Sequence, residues 1–266
     1  MSKKKIIVIT TFLILIILTI SLSMLIMKRL ISKRNFEKSI ISFSQKNEEE
    51  IFKIEKITFF SSCDVQNKTA TANTFTIENL YQYTDMAFFI TSPNEQKDLN
   101  NTLKKVYIDN IKYEKKPEIG EQKIYYKNIN HFAKSGMIKE ENLISERIDF
   151  ETTSKDEANL EYPVLYNNLA NPIVLSYINE GIKKDYTITD TSTPLTYNGS
   201  LLKKCGVTTN SIACKISFDI YIVNNNDQEF KCSVYTDIPL KNKEKSIYDG
   251  NITETKNTNF IFYRYK

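Results

Sequence analysis

The sequence predicts a mainly β fold: one N-terminal transmembrane helix, then an antiparallel, sandwich-like β region outside the membrane. Three observations lead there. Ile6 to Met27 is a 22-residue run without a charge. From about Lys56 the chain becomes a series of short segments rich in β-branched and aromatic residues, the composition of strands. Between these segments lie clusters of Asn, Asp, Gly, Lys and Pro, which break or turn the backbone.

Residues 1–27 read as a signal-anchor with a short basic tail. At about 1.5 Å rise per residue the apolar run spans roughly 33 Å, against a hydrocarbon core of about 30 Å. Its only polar residues are Thr10, Thr11, Thr19, Ser21 and Ser23, whose hydroxyls can bond back to helix carbonyls. Lys3, Lys4 and Lys5 precede the run, and Ser21-Leu22-Ser23 offers a small-x-small cleavage site. Met24-Leu25-Ile26-Met27 carries the apolar stretch past the usual signal-peptide length, so the helix is read as uncleaved. Lys28, Arg29, Lys33 and Arg34 flank its far end. A Lys/Arg count alone favours a cytoplasmic bulk. A three-lysine tail is, however, hard to translocate, whereas long domains cross regardless of charge. The N-terminus is therefore placed inside, in the plasma membrane, with the bulk extracytoplasmic.

Residues 28–55 read as a polar juxtamembrane stalk continuing as a helix. Phe36, Ile40, Phe43, Ile51 and Ile54 form a heptad-like stripe, with Asn47 filling the one polar position. The stripe can pack on the following domain. Self-association through residues 36–54 as a short coiled coil is the alternative.

Residues 56–266 read as the β-rich domain, and the polar stretch 152–159 marks either a boundary between two subdomains or a long loop. The clearest strand is Cys214–Val223: Cys214, Ile216, Phe218, Ile220 and Ile222 share one face, while Lys215, Ser217, Asp219 and Tyr221 share the other. Asn224–Asp227 reads as the turn, with Phe230, Cys232 and Val234 returning on a partner strand. Short helices are predicted at 77–83 and around 139–145. The 16 Tyr and 15 Phe are mostly expected as core and cross-strand pairs. Tyr107, Tyr113, Tyr125 and Tyr126 could instead line a binding face.

Cys63, Cys205, Cys214 and Cys232 allow three pairings. No C-x-x-C spacing is present, which argues against a zinc ribbon or a thioredoxin-like motif. A hairpin turning at Thr209-Asn210 would set Cys205 opposite Cys214, a candidate disulfide in an oxidising exterior. Four free, mostly buried thiols are preferred to that bridge.

Catalytic chemistry finds little to use. His131 is the single imidazole and lies outside any nucleophile-elbow pattern. Six glycines do not arrange into a phosphate-cradling loop. Glu48-Glu49-Glu50 is a solvated run, and Asp249-Gly250 is a turn. No cofactor or metal is expected, and the chain reads as a non-enzyme. Residues 1–38 hold eight cations against Glu37, leaving 28 cations against 31 acids in the remainder. The overall +4 therefore belongs to the membrane end, and a nucleic-acid partner is not expected.

The expected partners are the lipid bilayer and, for the β domain, another protein or an envelope polymer. An accessory subunit of a membrane complex for secretion, transport or division is the alternative. An extracytoplasmic hydrolase without a His triad ranks behind both. The layout of tail, membrane helix, stalk and β domain resembles that of envelope proteins from AT-rich bacteria; this is a likeness of architecture and does not carry a function.

Overall fold

The computed structural model describes residues 12, 15, 16, 18–35, 52–71, 74–91, 103–136, 140–153, 164–166, 172–189, 192, 194–240 and 245–265. Met1–Glu49 and Glu50–Lys266 form two separate units.

In the first unit, residues 18–35 form helix α1. Its apolar side chains are exposed, with Leu22 at 61% and Met24 at 66%. Ser23 Oγ donates to the Thr19 carbonyl and Thr19 Oγ1 to the Ile16 carbonyl, both at 2.8 Å, so these hydroxyls are satisfied within the helix. Lys28, Arg29, Lys33 and Arg34 lie on its last turns, exposed. Among the described residues no helix is long and apolar enough to cross a membrane. Of the run 6–27, only residues 12, 15, 16 and 18–27 are described, and Lys3, Lys4 and Lys5 lie outside the described residues.

The second unit is mainly strand. One sheet has the order β10-β1-β2-β7-β4, from β10 (Ile252–Ile261), β1 (Lys53–Ala70), β2 (Phe75–Thr91), β7 (Ile173–Ile188) and β4 (Glu121–Tyr126). The other is β11-β9-β8-β3-β5-β6, from β11 (Tyr263–Arg264), β9 (Glu229–Ile238), β8 (Cys214–Asn224), β3 (Leu103–Lys115), β5 (Ile148–Thr153) and β6 (Val164–Tyr166). Every pairing is antiparallel except that of β5 with β6. The sheets share one apolar core. Edge-to-face aromatic pairs cross it, with ring centres 5.3 Å apart for Phe52–Phe230 and 5.5 Å for Phe88–Phe218 and Tyr126–Phe150. Each sheet contains strands from both before and after 152–159.

The β8–β9 hairpin forms as the alternation predicts. Ile222 faces Phe230, Ile220 faces Cys232 and Phe218 faces Val234. Asn224 Oδ1 accepts from the N–H groups of Asn226 and Gln228 at 3.0 and 2.9 Å. Asp227 takes the left-handed conformation at φ 59, which Asp tolerates better than most residues.

Two expectations are corrected and one is met. The stalk does not stay helical to residue 55: β1 begins at Lys53, and Phe52 and Ile54 are fully buried. The three-residue spacing of Ile54 and Ile57, which imitates a helix, comes from a β-bulge at Ile54/Lys56 that turns both inward. Ile54 therefore belongs to the core and not to a coiled-coil seam; Phe36, Ile40, Phe43, Asn47 and Ile51 lie outside the described residues. Residues 77–83 are strand, inside β2. The 77/80 apolar spacing is met by a strand whose partner β7 shifts register there, with Gly181 at φ +68. The segment around 139–145 does make a helical turn, a 3-10 helix at Glu140–Asn142.

Candidate functional site

The candidate Cys205–Cys214 bridge is not present. Cys205 caps helix α2 (Ser200–Lys204) through its N–H to Leu201, and Cys214 opens β8 opposite Ile238. Residues 206–213 between them turn repeatedly, so no hairpin brings Cys205 to Cys214. All four thiols are free and buried. Burial pushes each one up, to about 11 for Cys205 and about 12 for Cys232, so all four are protonated at neutral pH and are poor nucleophiles. Tyr125 is fully buried, and Tyr107 and Tyr126 are buried too. Tyr113 packs partly buried against the core.

The outer face of the second sheet carries a stack that crosses three strands. The Arg147 guanidinium lies 3.8 Å from the Tyr107 ring centre. Tyr107 stacks on Tyr221, its cross-strand neighbour, at 4.5 Å and 7°. Lys231 sits 5.6 Å from Tyr221 and 5.8 Å from Tyr265, and pairs with Asp219 at 2.9 Å. Tyr107 has a partner on both ring faces, so this surface is cross-strand packing and not an open aromatic platform.

The outer face of the first sheet holds a buried ion pair under the segment 127–136. Asp85 Oδ2 accepts from Lys127 Nζ at 2.7 Å and from the Ala133 N–H at 2.8 Å; Oδ1 accepts from Ser176 Oγ at 2.6 Å. Lys127 Nζ also donates to the Lys134 carbonyl at 2.6 Å. Both charged side chains are fully buried. Burial raises the Asp85 carboxyl and lowers the Lys127 ammonium, and each partner opposes the other's shift. Around them Phe60, Tyr81, Tyr83, Tyr125 and Ile178 form a second small core. With both acceptor oxygens engaged and Lys127 held from two sides, the pair clamps the segment onto the sheet.

Among the described residues, a cleft of about 400 Å³ opens between the two sheets. It lies between β1 and β10 of one sheet and β8 and β9 of the other. Ile57, Phe59, Cys214, Ile238, Leu240 and Phe260 give it an apolar lining. Lys115, Lys256, Asp237 and the exposed ring of Tyr235 stand at its margin. Lys256 lies 5.3 Å from the Phe59 ring and 3.9 Å from Glu254; Asp237 is 3.8 Å from Lys215. With Lys115 beside Lys215 across β3 and β8, the margin holds three cations against two acids. Among the described residues no group of three His, Cys, Asp or Glu side chains could hold a metal ion. The cleft escapes sequence reading because it forms only where β1 and the chain-end strands β8, β9 and β10 come together across the two sheets.

Comparison with family models, curated proteins and solved structures found no match for this chain.

Proposed function

We propose that this protein is a single-pass, membrane-anchored binding protein whose β domain lies outside the cytoplasmic membrane. The observation that carries the anchor is the bare apolar surface of α1. Leu18, Leu22, Met24 and Leu25 are each more than 60% exposed, and they continue the uncharged run that starts at Ile6. Such a surface is costly in water and favourable in lipid. The hydroxyls of Thr19 and Ser23, bonded to the helix's own carbonyls, suit the same surroundings. The cations at the C-terminal end of α1 suit the headgroup region.

Binding is favoured over catalysis because the open cleft presents apolar surface with charge only at its margin, the form of a recognition site. The partner is a protein or envelope polymer reached from the membrane surface, and the bilayer itself is the second partner. Alkaline carbonate washing of membranes carrying the full chain tests the anchor. The chain stays with the pellet on this reading; release into the supernatant contradicts it.

A further inference from the structure

The cleft runs beside a sheet edge that is open among the described residues, and the hydrogen-bond directions along β9 show which groups face it. The Gln228 carbonyl accepts from the Asn224 N–H, within the β8–β9 hairpin. The Glu229 carbonyl accepts from the Tyr265 N–H, on the opposite side. The β8–β9 register has no shift from Glu229 to Ile238. Alternate residues of an antiparallel strand send N–H and C=O to opposite sides. Even-numbered residues of β9 therefore bond to β8, and odd-numbered ones face outward. β11 covers only Phe230 and Lys231. The main-chain groups of Ser233, Tyr235 and Asp237 have no partner among the described residues.

An unpaired edge is a template for another strand, and proteins blunt edges that are not used. β10, the edge on the other side of the cleft, is blunted: Glu254 and Lys256 lie opposite the core residues Phe59 and Ile57. Among the described residues, nothing pairs with the outer edge of β9 over the five residues 233–237, roughly 16 Å of extended chain. The Tyr235 ring beside it is 65% exposed.

We infer that this edge of β9 takes up an extended peptide segment of another protein, added as a strand in line with β11. Every second side chain of that peptide would enter the apolar cleft, and an acidic residue would meet Lys115 and Lys256. Main-chain bonds supply affinity and the cleft supplies selectivity, as in strand addition generally. The inference rests on reading the domain as a binding module; it does not depend on the membrane placement.

The test pans a display library of random eight-residue peptides on the full chain in detergent micelles. Selected peptides are expected to alternate apolar residues and to include an acid. Tyr235→Pro removes an outward N–H without breaking a bond to β8, whereas Tyr235→Val keeps it. Circular dichroism checks that both variants retain the wild-type fold. Affinity for the selected peptide is expected to fall at least tenfold in Tyr235→Pro relative to Tyr235→Val. It is also expected to fall in the double variant Lys115→Glu, Lys256→Glu. Failure to enrich any peptide, or equal affinity of the two Tyr235 variants, overturns strand addition. Dodecanoate serves as a separate probe: if it binds, and does so equally to both Tyr235 variants while no peptide is selected, the domain remains a binding module and strand addition alone is overturned.

Discussion

Lys127 and Asp85 show how one pair of residues can fix a segment. Each ion is out of water, so removing one leaves the other charged and unpaired. Lys127→Met is expected to cost about 3–5 kcal/mol, and Lys127→Met with Asp85→Leu to recover most of it. Urea unfolding of the three chains checks this through the midpoints. At the surface, the Arg147 guanidinium and Lys105 beside Asp149 hold its carboxyl below the usual range. Arg147 meets both of its oxygens, at 2.9 and 2.7 Å. A depressed carboxyl pKa adds stability above the unfolded value near 3.9 and loses it as pH falls further. Asp149→Asn should therefore melt lower than the wild-type chain at pH 7, by a gap worth up to about 1 kcal/mol. The gap should close towards pH 3. Thermal melts at the two pH values read it directly. None of these pairings was legible in the sequence, because acids and lysines are abundant and nothing local marks which of them meet.

At the scale of elements, strict alternation made face and register legible, whereas bulges hid the start of β1 and part of β2. Cys214–Val223 alternates without interruption, and its partner follows a turn of Asn and Asp, so face, turn and register all follow from composition. β1 and β2 break the alternation at Ile54/Lys56 and near Leu80, and at both places the apolar spacing of three imitates a helix. Only pairing with neighbouring strands distinguishes the two, and that information is not local. The hairpin turn carries its own expectation. Asn224 is fully buried and its Oδ1 satisfies two N–H groups, so Asn224→Ala should destabilise by about 1–3 kcal/mol. Urea midpoints measure the loss; an unchanged midpoint would show that water replaces the side chain.

For the whole molecule, charge is partitioned along the chain. The cations of residues 1–38 sit next to the apolar run, and the β-rich part that follows is mildly acidic. The cleft between β9 and β10 was beyond sequence reading, since it forms only when Ile57, Cys214, Ile238 and Phe260 come together from different strands. The apolar N-terminal run was legible as a run of residues but not as a placement, because length and charge do not decide where it lies. Protease added to intact cells carrying the full chain tests the central claim most directly. On this account the protease degrades residues 50–266 without detergent, and an N-terminal fragment containing α1 stays with the membrane. Full protection of residues 50–266 until the membrane is opened would contradict the account.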